Sequence, residues 1–341
     1  MKEIILEAAT GNSSILVGEG LSKRLSDLSG RVVLLVDEQV LRMHAEKFRG
    51  YDVISVSQGE HNKTLQAAED IYRSLIALEA DRSSTIVGVG GGLTTDIAGF
   101  VASTFLRGAT FGFISTTLLG QVDASIGGKN GVNIDGYKNM VGVIKQPDFV
   151  WCDLSLLETL DDREYRAGFA EVIKYGAIKS RELLSFVADH MDGLLRKEIP
   201  LLEKVISECI QIKRDIVQND ERESGERRLL NYGHTAGHAI ERLYQWLHGE
   251  AVSIGMVLAA RVSVSKGFLK EQEALYLKSV LERCGLPVVS DCDADKVYQT
   301  IRKDKKKAGS GLHFVFLRGL GDAFTEEIDL DELNSILHDL C

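Results

Sequence analysis

Strand-like and helix-like segments alternate along the first third of the chain, and this alternation is the feature that most restricts the fold. Buried-strand patterns occur at residues 31–37, 51–56 and 84–90, and helix-compatible segments follow them at residues 40–48, 65–78 and 94–105. Such a β–α–β rhythm is typical of an open parallel sheet with helices on its faces. The pattern predicts an α/β domain over residues 1–160.

The second half of the chain has a different periodicity. Apolar residues recur at helical spacing over residues 163–178, 200–217, 249–265 and 272–284. The chain has three prolines, and no low-complexity linker separates the two patterns. The sequence therefore predicts a mostly α-helical domain over residues 161–341, and 341 residues suffice for two domains with separate cores.

Composition and charge exclude several functional classes. No uninterrupted apolar run approaches the ~20 residues that a membrane span requires, so no membrane association is expected. The N-terminal residues lack the basic and apolar regions of a secretory signal, which predicts a cytoplasmic location. A net charge of −10 argues against nucleic-acid binding but leaves room for a local basic pocket that takes a small anion. Five cysteines form no C-x-x-C pair, and none is assigned chemistry.

Three of the eight histidines, His234, His238 and His248, follow one another with the spacing H-x3-H-x9-H. Neutral imidazole is a common metal ligand and an efficient proton carrier. On a helix, His234 and His238 would lie on one face, so spacing alone favours these two as paired ligands of a divalent metal. The alternative is that one or two of the histidines only pack or cap.

Three charged residues interrupt apolar helix faces. Lys213 lies in line with the apolar stripe of residues 200–217, and Glu171 and Lys174 lie on the small-residue face of residues 163–178. A buried charge needs a partner, a metal or a charged ligand, because uncompensated desolvation costs several kcal/mol. The alternatives are side chains that reach the surface, or a Glu171–Lys174 pair that serves only the structure.

Two glycine-rich segments suit an anionic ligand. Gly90, Gly91 and Gly92 lie between a predicted strand and a predicted helix, as in a Rossmann-like nucleotide-binding turn, although Thr95 replaces the third glycine of that motif. Residues 121–130 and 136–139 combine glycines with lysines, an aspartate and asparagines, but do not form a Walker A loop. A simple tight turn explains each segment, taken alone, about as well.

A series of ordered segments forms one larger pattern. The segments are residues 90–96, 107–108, 116–119, 122–129, 138–139, 170–176, 220–225, 231–239, 248–252 and 304–306. The pattern resembles the 3-dehydroquinate synthase family of sugar phosphate cyclases, and the resemblance covers most of the chain. The chain departs from the family at Thr95, Ser115, Ala124, Tyr137 and Asp161.

The resemblance implies a Rossmann-like NAD-binding domain, a divalent metal (zinc or cobalt) and a metal site of Glu171, His234 and His248. His238 then becomes a proton-transfer residue, so the second histidine ligand lies further along the chain than helical spacing suggests. The other catalytic residues implied by the resemblance are Glu223, Lys129, Lys174 and Lys213.

The resemblance also assigns binding residues. Those implied for the substrate are Arg107, Asp123, Lys129, Asn139, Lys174, Lys213, Arg227, Asn231, His234 and Lys305. Those implied for NAD are Asp37, Glu60, Lys63, Gly91, Gly92, Asp96, Thr116, Thr117, Lys138 and Thr159.

The implied reaction is a step of the shikimate route to aromatic amino acids. A homodimeric lyase would convert 3-deoxy-arabino-heptulosonate 7-phosphate to 3-dehydroquinate and phosphate, through oxidation by NAD, phosphate elimination, reduction and aldol closure. The alternatives are a cyclase acting on another sugar phosphate, a metal-dependent polyol dehydrogenase of the glycerol dehydrogenase type, and a nucleotide-binding regulatory module.

Overall fold

The computed structural model describes residues 1–135, 137–289, 291–308, 312–329, 333–334 and 337, and the side chains of these residues except 304–308. The chain forms two compact units. Unit 1 comprises Met1–Asp161 and Leu202–Arg222, and unit 2 comprises Asp162–Leu201 and Glu223–Cys341. The chain passes from unit 1 to unit 2 between Asp161 and Asp162, and residues 202–222 return to unit 1.

The strands of unit 1 form a seven-stranded sheet and a separate hairpin. They are β1 (Lys2–Ala8), β2 (Gly11–Gly18), β3 (Val32–Asp37), β4 (Asp52–Val56), β5 (Thr85–Gly90), β6 (Thr110–Ser115), β7 (Lys129–Ile134), β8 (Tyr137–Ile144) and β9 (Phe149–Asp153). The sheet has the order β1-β2-β9-β6-β5-β3-β4, and its pairs are parallel except for β1 with β2. Strands β7 and β8 form the hairpin.

The helices follow in chain order. They are α1 (Glu38–His44), α2 (Leu65–Ala77), α3 (Gly92–Thr104), α4 (Asp162–Lys179), α5 (Arg181–Asp189), α6 (Met191–Leu195), α7 (Ile199–Asn219), α8 (His234–Tyr244), α9 (His248–Ser265), α10 (Glu271–Arg283) and α11 (Ala294–Ala308). This arrangement confirms the predicted class, an α/β domain with a parallel sheet and a mostly helical remainder.

Local signals explain where the first helices begin. Asp37 ends β3, and its carboxylate accepts hydrogen bonds from the N–H groups of Gln39 and Val40, which caps α1. Thr64 caps α2 in the same way through the N–H of Ala67. A side-chain oxygen at this position satisfies backbone donors that the first helical turn leaves open. The predicted helix at 40–48 is shorter in the structure, because α1 ends at His44 and a 3-10 turn follows.

Glycines permit close contacts between helices in unit 2. A Cβ atom at Gly255 on α9 would lie 1.9 Å from the carbonyl oxygen of Gly233, and one at Gly249 would lie 1.9 Å from the carbonyl oxygen of Ala167 on α4. Gly237 on α8 lies against the backbone of Ala251 and Val252, where a Cβ would have neighbours at 3.1 Å. Gly249 and Gly255 therefore hold α9 against α4 and against the residue before α8 at distances that no larger residue allows, and Gly237 permits a tight contact between the first turns of α8 and α9.

A second antiparallel hairpin, β10 (Leu312–Gly319) with β11 (Asp322–Ile328), belongs to unit 2 and was not predicted from the sequence. Its buried residues include Phe314, Phe316 and Leu317, so it extends the core of the helical unit. Among the residues that the structure describes, no helix is both long and apolar enough to cross a membrane.

Replacing Gly255 by Ala should destabilise the protein, because the added methyl group meets a backbone oxygen rather than a flexible side chain. We expect a loss of about 2 kcal/mol or more in the free energy of unfolding, the scale of overpacked core sites. Urea unfolding followed by circular dichroism measures it. Arg261→Ala changes the exposed face of the same helix and is the control, expected to stay within about 0.5 kcal/mol of the parent protein. Equal midpoints for the two variants would contradict the packing argument.

Candidate active site

Most residues predicted to bind NAD lie where the parallel strands of unit 1 end. They follow or end five neighbouring strands: Asp37 at β3, Glu60 and Lys63 after β4, Gly91 and Gly92 after β5, Thr116 and Thr117 after β6, and Thr159 after β9. In open parallel sheets this carboxyl edge is where ligands bind. The topology thus brings together residues that are far apart in the sequence. Asp96 lies on α3 and Lys138 on β8.

The glycine turn between β5 and α3 is closely packed. A Cβ at Gly91 would lie 2.9 Å from the side chain of Thr117, and a Cβ at Gly92 would lie 2.9 Å from Ala124. Gly91 caps α3 without a side-chain hydrogen bond, and the first turn of α3 has no acidic residue. The N-terminus of α3 therefore presents backbone N–H groups and a positive dipole end, which suits a phosphate.

Lys63 joins two residues to which the resemblance assigned different ligands. Its buried ammonium forms an ion pair with Asp96 and donates a hydrogen bond to Asn139 Oδ1 at 2.6 Å. Asn133 supports this contact, because its Oδ1 accepts the N–H of Asn139 at 2.9 Å and its amide donates to Glu60 Oε1 at 2.9 Å. Burial raises the pKa of Asp96 to about 6, and the charge of Lys63 opposes that rise.

Lys213, the charge on the apolar stripe of α7, is buried as its pattern indicated. It forms an ion pair with the carboxylate of Asp123 and donates a hydrogen bond to the carbonyl oxygen of the same residue at 2.8 Å. Asp123 lies in a π-helical turn, Gly120–Ala124. Lys213 is 6% exposed, and its partner is another residue predicted to contact the substrate.

Three predicted site residues have left-handed backbone conformations. Arg107 has φ 69°, Asn139 has φ 55° and Glu223 has φ 61°. Non-glycine residues rarely adopt positive φ, and such strain is concentrated at functional sites. Arg107 and Lys129 are both exposed on unit 1.

A largely buried charged cluster lies in unit 2. Glu171 on α4 is fully buried, and its carboxylate forms an ion pair with Lys174 one turn further along the helix. The Nε2 atoms of His234 and His248 each lie 3.6 Å from Glu171 Oε1. One carboxylate oxygen and two imidazole nitrogens of this set lie within 4.8 Å of one another, so the three side chains could hold a metal ion.

The two histidines of the cluster have opposite electrostatic environments. Burial and the nearby Lys174 hold the pKa of His234 well below its usual range. Burial also acts to lower the pKa of His248, but the carboxylates of Glu171 and Glu241 outweigh it and raise that pKa to about 9.

His238 lies beside this cluster and outside the Glu171 group. Its ring centroid is 5.0 Å from that of His234 and 5.9 Å from that of His248, and the residue is exposed. It belongs to a second group of ligand atoms, with Glu241 and His248. The pairing of His234 with His238 expected from helical spacing is therefore replaced by a pairing of His234 with His248 around Glu171, as the resemblance implied.

Local contacts set the position of His248. It is the first residue of α9, and the following Gly249 allows the backbone of α4 to approach at Ala167, one turn before Glu171. Glu250 accepts the N–H of Leu247 at 3.1 Å and two hydrogen bonds from Arg163 at 2.7 and 2.8 Å. These bonds anchor the first turn of α9 to the start of α4.

The other predicted residues of unit 2 are only partly brought together. Asn231 donates a hydrogen bond to Glu223 Oε1 at 2.5 Å, which joins a predicted substrate contact to a predicted catalytic residue. Arg227 is 2% exposed. The side chain of Lys305 lies outside the described residues.

Sequence reasoning missed three residues that support the site: Glu241, Asn133 and Arg163. Glu241 could have been found by its spacing, because it follows His238 by three positions and His234 by seven on one helix, and so shares their face. Asn133 and Arg163 act through contacts distant in the sequence, and no local pattern marks them.

Two family models match consecutive parts of the chain. The model of the 3-dehydroquinate synthase N-terminal region matches residues 53–167, and that of the 3-dehydroquinate synthase C-terminal region matches residues 168–307. A 3-dehydroquinate synthase of Acetivibrio thermocellus is 41% identical over 318 residues, 90% of this chain and 88% of the relative. A 3-dehydroquinate synthase of Halorhodospira halophila is 43% identical over 304 residues, 87% of this chain and 86% of the relative.

Solved structures have the same fold. A 2-epi-5-epi-valiolone synthase of Streptomyces hygroscopicus with NAD⁺ and Zn²⁺ bound has a TM-score of 0.88 and 28% identity over 99% of this chain and 97% of that one. A 2-deoxy-scyllo-inosose synthase complexed with carbaglucose-6-phosphate, NAD⁺ and Co²⁺ has a TM-score of 0.89 and 25% identity, with both chains fully covered. A probable glycerol dehydrogenase of Sinorhizobium meliloti, with a TM-score of 0.68 and 16% identity over 98% of each chain, shares the fold alone.

Asp96 is expected to titrate near pH 6, and Lys63→Met should raise its pKa further because burial then acts without the opposing cation. The carboxyl ¹³C shift of Asp96 between about pH 4 and about pH 8 measures this. Since the pKa of this carboxyl in the folded protein lies above its ordinary value of 3.8, the stability contributed by this group falls as pH rises from about 4 to about 6. Lys23→Met removes an exposed lysine of the same unit and controls for net charge. A pKa that Lys63→Met leaves unchanged would contradict the assignment.

Proposed function

The chain belongs to the 3-dehydroquinate synthase family, and we propose that it converts 3-deoxy-arabino-heptulosonate 7-phosphate to 3-dehydroquinate and inorganic phosphate. Membership makes it a phosphate-eliminating lyase of aromatic biosynthesis. The observation that carries the proposal is the buried Glu171–Lys174–His234–His248 cluster, which combines possible metal ligands with a cation for an anionic substrate.

NAD is the proposed redox cofactor of unit 1. The predicted contacts lie at the carboxyl edge of the parallel sheet, and the N-terminus of α3 begins at a glycine turn that leaves its backbone donors accessible. Both cyclase structures named above contain NAD⁺. The carboxylates of Asp37 and Asp96 are suited to accept hydrogen bonds from ribose hydroxyl groups.

A divalent ion, zinc or cobalt, is the proposed occupant of the Glu171 cluster. The donor set fits, because one carboxylate and two imidazoles suit zinc and leave coordination positions for substrate oxygens. In a tetrahedral site, ligand atoms about 2.0–2.1 Å from the ion are separated by about 3.4 Å, close to the 3.6 Å between Glu171 Oε1 and each Nε2. When bound, such an ion lowers the pKa of the hydroxyl groups it contacts and so favours proton loss during oxidation.

The basic side chains are proposed to hold the substrate's phosphate and carboxylate. In unit 1 these are Arg107, Lys129 and Lys213, of which Lys213 also holds Asp123. In unit 2 they are Lys174 and Arg227, both nearly fully buried. Fixed cations in a buried setting stabilise developing negative charge more strongly than water does. Lys305 remains a proposed contact on the strength of the resemblance alone.

His238 and Glu223 are the proposed proton-transfer residues. His238 is exposed and lies beside both histidines of the cluster, so it can exchange protons with solvent. Glu223 accepts a hydrogen bond from Asn231, a proposed substrate contact, which orients its carboxylate. The cytoplasmic location and the homodimer stay predictions.

A cyclase acting on another sugar phosphate is the second candidate. The two cyclase structures named above are a 2-epi-5-epi-valiolone synthase and a 2-deoxy-scyllo-inosose synthase, not 3-dehydroquinate synthases. Relatives named 3-dehydroquinate synthase are 37–44% identical to the chain, against 28% and 25% for those structures, so the first proposal is favoured. Turnover of the purified protein with each sugar phosphate separates the two.

Replacing Glu171, His234 or His248 by Ala should remove bound zinc and abolish activity, because each substitution deletes one proposed ligand of three. Metal content after dialysis, measured by atomic emission, and phosphate release are the readouts. His238→Ala is the matched control, expected to keep its zinc while losing turnover. Zinc retained by His248→Ala but lost by His238→Ala would show that the ligand assignment is wrong.

Recycled NAD is expected to support many turnovers, since a net redox-neutral reaction oxidises and later reduces one carbon. With NAD at well below one equivalent of substrate, phosphate release should continue without a lasting rise in NADH absorbance. Product formation that stops at one equivalent of NAD, with NADH accumulating in step, would identify a dehydrogenase and reject the cyclase proposal.

A further inference from the structure

Glu241 has no role among the residues that the sequence pattern assigns, and we infer that it is a positioning residue that orients His248 for metal binding. The inference rests on the metal site proposed above and concerns the second contact of one of its ligands. It depends on four side chains of unit 2: His248, Glu241, Glu171 and His234.

The ring of His248 lies between two carboxylates. Its Nε2 is 3.6 Å from Glu171 Oε1, and its Nδ1 is 3.2 Å from Glu241 Oε2. An ionised carboxylate can only accept hydrogen bonds, so the contact between Nδ1 and Glu241 requires a proton on Nδ1. The lone pair of a neutral His248 is then on Nε2, on the side of Glu171 and His234.

His234 is oriented by the same principle with a different acceptor. Its Nδ1 lies 3.1 Å from the carbonyl oxygen of Tyr232, which directs Nε2 toward Glu171. The acceptor for His234 is neutral backbone, whereas the acceptor for His248 is a charged side chain. A carboxylate makes the opposite ring nitrogen a stronger donor to a metal, and its loss typically weakens metal affinity.

The positions of His248 and Glu241 in the fold explain why the ring of His248 needs a side-chain acceptor. His248 is the first residue of α9, and Leu247 before it is in an extended conformation, so only one side of its backbone is helical. Glu241 lies on α8, where Gly237 brings the two helices into close contact. The N-terminus of α9 also favours a nearby negative charge. Glu241, with its side chain 15% exposed, thus fixes the ring from the neighbouring helix.

Glu241 could instead bind a metal directly, since His238, Glu241 and His248 form a second group of possible ligands. That arrangement would use Nδ1 of His248, whereas an ion held by Glu171 and His234 uses Nε2. The geometry around Glu171 favours the positioning role of Glu241. Glu171 is fully buried, His234 is nearly so, and the Nε2 atoms of His234 and His248 are equally distant from one oxygen of Glu171.

The test compares Glu241→Ala and Glu241→Gln with His248→Ala and the parent protein. The metal-stripped proteins are titrated with zinc against a chromophoric chelator, and their thermal unfolding is measured before zinc is added. Glu282→Ala is the matched control, because Glu282 is an exposed glutamate of unit 2 paired with Lys278 and remote in sequence from the cluster.

We expect Glu241→Ala to bind zinc about 10–100-fold more weakly than the parent protein, with one zinc per chain in both. Glu241→Gln should lose less, because its amide oxygen still accepts the Nδ1 proton without the charge. Glu282→Ala should match the parent protein, and the metal-stripped unfolding temperatures should agree.

Three outcomes would overturn the inference. The first is zinc binding by Glu241→Ala as tight as that by Glu282→Ala. The second is a second zinc equivalent in the parent protein that is absent from Glu241→Ala. The third is a lower unfolding temperature of metal-stripped Glu241→Ala that Glu241→Gln does not partly restore. Failure of the metal site itself is distinct, because His248→Ala would then bind zinc like the parent protein.

Discussion

The buried carboxylate of Glu171 is the group on which the arrangement of unit 2 depends. A carboxylate with no exposed surface is stable only if cations or donors replace the water it has lost. Lys174 supplies that cation from the same helix, and the Nε2 atoms of His234 and His248 lie 3.6 Å from Glu171 Oε1, at the first turns of α8 and α9. Three helices meet at this carboxylate, and glycines at 249, 237 and 255 make that approach possible. The close packing of the three helices thus also brings together the proposed metal ligands.

Two ion pairs of unit 1 share one feature: the lysine side chain is more buried than the aspartate side chain. In the Lys63–Asp96 and Lys213–Asp123 pairs, the lysine side chain is 4% and 8% exposed, while each aspartate side chain is 20% exposed. The buried lysine stem packs against apolar surroundings, and the carboxylate is the more accessible partner. The sequence pattern suggested Lys213 as a direct contact of an anionic substrate. The structure adds that this lysine holds Asp123, so its removal would also leave a carboxylate without its cation.

Each unit collects a different part of the proposed chemistry. The carboxyl edge of the parallel sheet collects the residues proposed to bind NAD, because parallel strands end on the same side. The buried cluster of unit 2 collects the proposed metal ligands and a lysine. Left-handed backbone at Arg107, Asn139 and Glu223 shows that several of the proposed contacts are held in uncommon conformations. Such strain persists only where surrounding contacts determine the local geometry.

The sequence by itself determined the class of fold, the order of the principal strands and helices, and the family, because these follow from local periodicity and from ordered motifs. It also marked Lys213, Glu171 and Lys174 as inward-facing charges, and the structure confirms that all three are buried. Helical spacing paired His234 with His238, and the family resemblance implied His248 instead; the tertiary structure supplies the reason, since the turn between α8 and α9 brings His248 back to Glu171 and leaves His238 exposed. Only the tertiary structure reveals the contacts of Glu241 with His248 and of Asn133 with Asn139 and Glu60, and the return of residues 202–222 to unit 1. Helical spacing describes only neighbours on one helix, whereas these contacts depend on how closely separate segments pack.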